Sequence, residues 1–177
     1  NKQVIAVGRY MPQKGFDRLI PAWKIVSEKH PDWKLRIYGD GMREELQKQI
    51  NNLGVSSTCI LEHSVQNIID KYCESSIFVL SSRFEGFGMV ITEAMICGVP
   101  PVSFTCPCGP RDIIEDGIDG LLVENGDIHG LADKISYLID NEKTRKQMGQ
   151  KAHDNVKRFK IENIALQWKK IFETVVK

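Results

Sequence analysis

The residues best suited to chemistry are two carboxylates, Glu85 and Glu93, which are separated by seven residues. Gly86 and Gly88 lie between them and permit an unusual backbone path. A helix is predicted to begin just after Gly88, and its first backbone N–H groups favour an anion such as a diphosphate. The amides concerned are those of Gly88, Met89 and Val90. Because carboxylates accept hydrogen bonds from vicinal hydroxyls, the segment indicates a ligand that combines sugars with a diphosphate.

The same two glutamates also have a purely structural interpretation, as a loop charge and a charge on a helix face. Glu93 argues against it, because its predicted helix is otherwise apolar. A carboxylate in such a helix is costly unless it has a partner.

A cationic loop, Gly8–Gly15, follows the first predicted strand and precedes a helix. Arg9 could bind two phosphate oxygens at once, and Lys14 could act as a point charge on another. Gln13 stands where a Walker A loop has its second glycine, and the dinucleotide fingerprint is absent as well. Taken alone, the loop is equally compatible with two solvated surface cations.

Three further features have weaker implications. Gly39-Asp40-Gly41 predicts a tight turn before a helix, although it could border a nucleotide. Cys106 and Cys108 could bind a metal, but no second cysteine pair stands nearby, so we expect no metal. His63 is predicted to be a surface histidine, with a place near a nucleobase as the alternative.

Strand-like and helix-like segments alternate along the chain and must position these residues. The predicted strands are Gln3–Val7, Lys34–Tyr38, Thr58–Leu61, Ile77–Ser81, Pro101–Phe104 and Gly120–Val123. The predicted helices are Asp17–Lys29, Arg43–Leu53, Val65–Cys73, Met89–Cys97, Arg111–Glu115, Asp127–Asp140, Glu142–Phe159 and Ile161–Val176. Apolar strands between amphipathic helices predict a doubly wound, Rossmann-like α/β fold with a parallel sheet and a helical C-terminal tail. Such sheets bind ligands beyond the carboxyl ends of their strands.

Composition sets limits on the partners and the environment. A net charge of +1 gives no global indication of nucleic acid binding, and we expect no membrane contact from this domain. Five scattered cysteines argue against a disulfide framework and favour a reducing, cytoplasmic setting, with Cys59, Cys73 and Cys97 predicted to be core residues.

The motifs together resemble the group 1 (family four) retaining glycosyltransferases. Glu85 and Glu93 match the E-x7-E motif of that family, within the similar context Ser-x-x-Glu-Gly-Phe-Gly-Met-Val-Ile-x-Glu-Ala-Met. Gly8-Arg9, Lys14-Gly15 and the segment Cys97–Val102 are similar as well, and the match runs through essentially the whole chain. Cys106–Ile114 is similar to a segment of group 1 enzymes that build capsule or lipopolysaccharide sugars, although Thr105 stands where that pattern often has aspartate.

This resemblance implies one half of a GT-B fold. Residues 1–177 would be a single nucleotide-sugar-binding domain, a fragment that lacks its N-terminal acceptor domain. Arg9, Lys14 and Glu85 would be catalytic, with the cations binding the donor diphosphate and Glu85 contacting the transferred sugar. Glu93 would hold the ribose, and the substrate-binding set would comprise Gly8, Glu93, Phe87, Gly88, Met89 and Val90.

The resemblance also implies partners and a location. The donor, a nucleotide-diphospho-sugar that is most simply UDP-linked, would be a substrate, and neither a cofactor nor a metal is expected. The acceptor would be a cell-envelope glycan or its lipid-linked precursor, bound through the missing domain, so the fragment should turn over little. The enzyme would be cytoplasmic or peripheral on the inner face of the cell membrane. The last helix, with Trp168 and Phe172, would expose an apolar stripe where it meets the missing domain.

Two other functions remain open from the sequence. One is a sugar-nucleotide epimerase of the same overall fold. The other is a non-catalytic nucleotide-sugar-binding module, against which the intact set of Arg9, Lys14, Glu85 and Glu93 argues.

Overall fold

The computed structural model describes residues 1–175 and places six parallel strands in one sheet with helices on both faces. The strands are β1 (Gln3–Val7), β2 (Lys34–Tyr38), β3 (Cys59–Glu62), β4 (Ile77–Leu80), β5 (Pro101–Phe104) and β6 (Leu121–Val123). The α-helices are α1 (Phe16–Lys29), α2 (Arg43–Asn52), α3 (Ile68–Cys73), α4 (Met89–Ile96), α5 (Pro110–Ile113), α6 (Ile128–Asp140), α7 (Glu142–Asn155) and α8 (Ile161–Val175). Two short 3-10 turns span Pro12–Lys14 and Val156–Phe159.

Most predicted boundaries agree with the structure within one residue, and the clearest differences are at the end of α7, which stops at Asn155 and continues to Phe159 only as a 3-10 turn, and at the start of α3. This helix was expected from Val65 but begins at Ile68. The residues before it are held by Asp40, which accepts hydrogen bonds from the Ser64 backbone N–H at 3.2 Å and from the Ser64 hydroxyl. Val176, the predicted end of the last helix, lies outside the described residues.

The strands β1, β4 and β5 in the middle of the sheet bury both of their faces, as their apolar runs require. In β1, Val4 and Ala6 contribute to one hydrophobic cluster, and Ile5 contributes to the cluster on the opposite face. Side chains alternate across a strand, so a strand covered on both sides needs an uninterrupted apolar run. The fold thus has a core on each side of the sheet.

The strand order β3-β2-β1-β4-β5-β6 gives the sheet a topological switch point between β1 and β4. The chain leaves β1 toward β2 on one side and leaves β4 toward β5 on the other. The connections therefore part above the carboxyl ends of these two strands and leave a crevice. Both charged loops singled out from the sequence, residues 8–15 (the β1 loop) and residues 81–88 (the β4 loop), lie there.

The last helix differs from the others because it buries little of its apolar surface. Five large apolar side chains of α8 are more than half exposed, and they are Ile161, Leu166, Trp168, Ile171 and Phe172. The rings of Trp168 and Phe172 stack on each other with centroids 5.7 Å apart. Within residues 1–175, no helix is both long enough and apolar enough to cross a membrane.

The cysteine prediction was right for Cys59, which is buried, and wrong for Cys73, which is exposed at the last position of α3. Cys97 is partly buried. Cys73 lies in an apolar stretch, but a helix of six residues buries only the side that faces the sheet.

Candidate functional site

The centre of the crevice holds an ion pair between the β1 loop and the β4 loop. Lys14 Nζ lies 2.8 Å from Glu85 Oε1, and the two side chains are only 16% and 7% exposed. The Ser82 hydroxyl donates a second hydrogen bond to the same carboxylate oxygen at 2.5 Å. Two of the predicted catalytic residues, 71 positions apart in sequence, are thus in direct contact.

Close backbone packing brings these two loops together. Gly15 adopts a left-handed conformation (φ +65°), and a Cβ atom there would lie 2.0 Å from the Ser81 carbonyl oxygen. The Ser81 hydroxyl in turn donates to the Lys14 carbonyl at 2.9 Å. Only glycine allows this approach, so the position of Lys14 depends on the residue that follows it.

A pair of charged residues on the rim joins the same loops. Arg83 donates to both carboxylate oxygens of Asp17, at 2.8 and 2.7 Å, and to the Pro12 carbonyl at 2.6 Å. These hydrogen bonds hold the pKa of Asp17 below its ordinary value. A two-point contact of this kind fixes orientation as well as distance.

Helix α4 begins at the floor of the crevice, immediately after the β4 loop. Gly88 caps the helix in a left-handed conformation (φ +93°), and the backbone N–H groups of Gly88, Met89 and Val90 have no acceptor within residues 1–175. Gly109 of the neighbouring loop packs so tightly beneath that a Cβ atom there would lie 2.0 Å from the Phe87 carbonyl oxygen. The arrangement presents unpaired donors at the positive end of a helix dipole, which attracts anions.

Glu93 has the partner that its apolar helix requires. The Tyr72 hydroxyl, on α3, donates to Glu93 Oε2 at 3.2 Å. Burial, together with the neighbouring carboxylate, raises the pKa of Tyr72 above its ordinary value. Tyr72 therefore stays protonated at neutral pH and holds one carboxylate oxygen in place. The remaining acceptor capacity of Glu93 is available to other hydroxyls.

A cavity of about 360 Å³ opens beside the β1 loop on the side of α3. Arg9 lines it and is exposed, with no ion pair within residues 1–175. The opposite wall comes from the turn after β2 and from the loop after β3, represented by Gly39, Ser64 and Val65. The size is within the range of small-molecule sites.

The turn after β2 has a structural role. A Cβ atom at Gly39 would lie 1.9 Å from the Gly8 carbonyl oxygen, and the Tyr10 backbone N–H donates to the Asp40 carbonyl at 2.8 Å. Asp40 also pairs with His63, at 2.9 Å, on the exposed rim. These contacts agree with the predicted tight turn and surface histidine.

The loop after β5 (residues 105–109, the β5 loop) contacts the site from the other side. The Glu85 backbone N–H donates to the Pro107 carbonyl at 3.2 Å. Burial and the nearby Glu85 carboxylate raise the pKa of Cys106 to about 11, so this thiol keeps its proton at neutral pH. Within residues 1–175, no three His, Cys, Asp or Glu side chains are grouped so that they could hold a metal ion.

Sequence reasoning assigned no role at this site to Tyr72, Ser82, Arg83 or Asp17, although Ser82 is the serine of the matched motif. Arg83 adjoins the glutamate motif and Asp17 lies in the first turn of α1, so their opposite charges were a weak signal. Tyr72 gave no signal, because its contact with Glu93 depends on the packing of α3 against α4.

Comparison with known proteins extends this picture. The family model described as glycosyl transferases group 1 matches residues 1–155. An exopolysaccharide phosphotransferase of Streptomyces coelicolor is 35% identical over 99% of this chain and 19% of its own length. A mutant of Staphylococcus aureus TarM, solved with fondaparinux, α-GlcNAc-glycerol and UDP, superposes with a TM-score of 0.91 at 31% identity, over 97% of this chain and 35% of that one. The C-terminal domain of a group 1 glycosyltransferase (LpcC) from Francisella tularensis superposes with a TM-score of 0.80 at 28% identity, over 89% and 85% of the two chains.

A doubly wound sheet with cations and free helix amides at its switch point defines a Rossmann-like domain with an anion site, and the solved neighbours identify it as one half of a GT-B fold. Since the family model matches most of its length, the chain belongs to the group 1 glycosyltransferases. Its fold is that of the C-terminal domain of such proteins. The chain spans between 19% and 49% of the length of the first curated relatives that it matches.

Proposed function

We propose that this chain is the donor-binding domain of a retaining glycosyltransferase that transfers a hexose from a nucleotide-diphospho-sugar. The observation that carries the proposal is the convergence at the switch point. Lys14 of the β1 loop meets Glu85 of the β4 loop, and the free amides at the start of α4 lie three to five residues after Glu85 in the same crevice. A ligand that satisfies all of them needs an anionic centre next to hydroxyl groups.

Each part of such a donor has a matching group. Lys14 and Arg9 neutralise the diphosphate, and the amides of α4 donate to phosphate or sugar oxygens. Glu85 accepts from hydroxyls of the transferred sugar, and Glu93 accepts from the ribose. The nucleoside then extends toward the cavity beside Arg9, which leaves His63 on its outer rim.

The chemistry follows from where charge develops. When the bond between the sugar and the diphosphate breaks, negative charge grows on the departing phosphate. Cations and amide dipoles that are already in place stabilise that charge without reorganising, and such electrostatic preorganisation is often the largest contribution to catalysis. We therefore propose that the reaction uses neither a cofactor nor a bound metal. Retention of configuration is proposed from the likeness of the Glu85 and Glu93 pair to the E-x7-E motif.

The UDP moiety and the acceptor are proposed from the relatives. UDP occupies the similar TarM structure, and the Streptomyces relative is named for an exopolysaccharide. A cytoplasmic reaction on a cell-envelope glycan or a lipid-linked precursor fits both. We further propose that an N-terminal acceptor domain completes the cleft and covers the apolar stripe of α8, so the isolated chain turns over little.

Calorimetric titration of the chain with UDP, GDP and UDP-sugars tests the proposal. We expect one nucleoside diphosphate to bind, and we expect Arg9→Ala and Glu93→Ala each to weaken it by about tenfold or more, the usual loss for a charge-assisted hydrogen bond. Arg18→Ala on α1 and Glu44→Ala on α2 are matched controls that remove the same charges away from the crevice. Binding that survives both site variants would place the nucleotide elsewhere and overturn the assignment.

A further inference from the structure

The sequence of the β4 loop does little to restrict the backbone around Phe87, immediately before α4 begins. Gly86 and Gly88 flank Phe87, and a Cβ atom added at Gly86 would meet nothing within 4 Å. Two glycines in three residues leave the backbone many accessible conformations, so contacts from outside must select one. Gly109 supplies such a contact to the Phe87 carbonyl. The Phe87 side chain, which is 43% exposed, offers a second point of attachment.

That attachment is the ring of Phe159. The two rings meet edge to face, with centroids 5.4 Å apart and an interplanar angle of 78°. This is a favoured geometry for an aromatic pair. Phe159 is far away in sequence, and it is the last residue of the 3-10 turn Val156–Phe159.

Phe159 is itself held firmly. The guanidinium of Arg158 lies over its ring, 4.6 Å from the centroid. Arg158 also donates to the Ile113 carbonyl at 2.5 Å and lies 3.8 Å from the fully buried carboxylate of Asp119. The ring of Phe159 is thus tied to α5 and to the second core cluster, against which it packs.

The same residue is the point at which α8 leaves the domain. Lys160 is extended (φ −61°, ψ 143°), and α8 begins at Ile161. Asn163 Nδ2, in the first turn of α8, donates back to the Lys157 carbonyl at 2.7 Å. A change in the direction of α8 therefore acts first on the turn that carries Phe159.

We propose that Phe159 is a positioning residue for the donor site: its ring holds Phe87, which fixes the β4 loop and the amides at the start of α4. The orientation of α8 then influences donor binding through this pair of rings. The inference rests on the proposed function, since it concerns the same site. It adds a residue outside the crevice that sets the geometry of the donor contacts.

Two measurements on the chain test the role of Phe159. The first is amide hydrogen exchange at Glu85, which donates to Pro107, and at Ile91, which donates to Gly88. The second is calorimetric titration with UDP. For Phe159→Ala we expect exchange at both amides to accelerate about fivefold and the Kd for UDP to rise about fivefold, the range that an aromatic pair supports. Phe159→Tyr keeps the ring and should restore both values.

Two further variants separate positioning from general destabilisation. Phe87→Ala should reproduce the effects, and the double variant should add little to either single change, because both remove one contact. Phe172→Ala on α8 removes an equally large exposed ring away from the β4 loop and should change neither value. If Phe159→Ala unfolds the chain, amide exchange at Glu85 and Ile91 in Phe87→Ala carries the test, because Phe87 is also a predicted substrate-binding residue and its effect on UDP binding could be direct.

The outcomes are distinct. If Phe159→Ala and Phe87→Ala alter exchange and UDP binding no more than Phe172→Ala does, the inference is overturned. If the unaltered chain binds neither UDP nor GDP, the proposed function fails, and the exchange rates at Glu85 and Ile91 still decide whether Phe159 positions the β4 loop.

Discussion

Replacing Gly15 with alanine is expected to lower the free energy of unfolding by at least about 3 kcal/mol, since backbone strain and overpacking add. The residue has a left-handed conformation, and the new Cβ atom would lie 2.0 Å from the Ser81 carbonyl oxygen. The β1 loop must then move away from the β4 loop, which also displaces Lys14 from Glu85. We expect UDP binding to be lost together with stability. Urea unfolding and calorimetric titration measure the two effects.

Gly54→Ala is a closely matched control for this change. Gly54 has nearly the same backbone conformation (φ +68° against +65°), but a Cβ atom there would meet nothing within 4 Å. Its replacement should cost only the conformational strain, about 1 kcal/mol, and should leave UDP binding unchanged. Equal losses of stability in the two variants would show that the contact between the β1 and β4 loops is not what makes Gly15 necessary.

Lys14→Met is expected to weaken UDP binding by about 10- to 100-fold, because it removes a cation from the diphosphate site. The change also leaves Glu85, which is 7% exposed, with Ser82 as its remaining side-chain partner. Removing one member of a largely buried pair strands the other charge, so we expect a loss of about 2 kcal/mol in stability as well. Titration with UDP and thermal unfolding give the two values.

Lys24→Met removes the same charge from a Lys–Glu pair on the surface of α1. Exposed pairs contribute at most about 1 kcal/mol, so this control should be close to neutral in both measurements. If Lys14→Met also left UDP binding unchanged, Lys14 would be a structural partner of Glu85 and not a donor ligand.

The sequence was sufficient to predict the fold, because the apolar pattern of each segment agrees with the alternation of strands and helices along the chain. The strands β1, β2 and β5 were predicted at their observed bounds, since apolar runs between glycine-rich or polar loops leave little freedom of interpretation. The placing of Lys14 and Glu85 at the same edge of the sheet also followed, because parallel strands bring their carboxyl ends to one edge. The strand order came from the structure and not from the sequence. It is this order that makes the two loops neighbours at the switch point.

The supporting contacts could not be predicted, and the reason is physical. The hydrogen bond from Tyr72 to Glu93 depends on how α3 packs against α4, and no spacing in sequence encodes that packing. The Arg83–Asp17 pair depends on a close approach that Gly15 permits. Gly39 was expected to serve a turn and Gly109 was given no role, yet a Cβ atom at either residue would lie about 2 Å from a carbonyl oxygen of another loop.

The proposed site attracts anions through two cations and a set of uncharged backbone donors. Lys14 is partly buried and paired, Arg9 is exposed and unpaired within residues 1–175, and the α4 amides are uncharged donors. A site built in this way has local anion affinity, although the net charge of the whole chain is only +1. Salt should therefore affect donor binding without altering the fold.

The central claim is that the nucleotide occupies the crevice at the switch point, and mapping of backbone amide resonances during a UDP titration tests it most directly. The account predicts that the largest shifts fall on Gly8, Gly88, Met89 and Val90, with smaller ones at Ser64 and Val65 beside the cavity. The other cavity, of about 220 Å³, shares part of the β1 loop but is otherwise lined by the start of α1 and by α2 with the residue before it, and shifts at Met42, Glu45 and Leu46 should be small. Shifts concentrated around that second cavity or on α8, with Gly88–Val90 unchanged, would contradict the account.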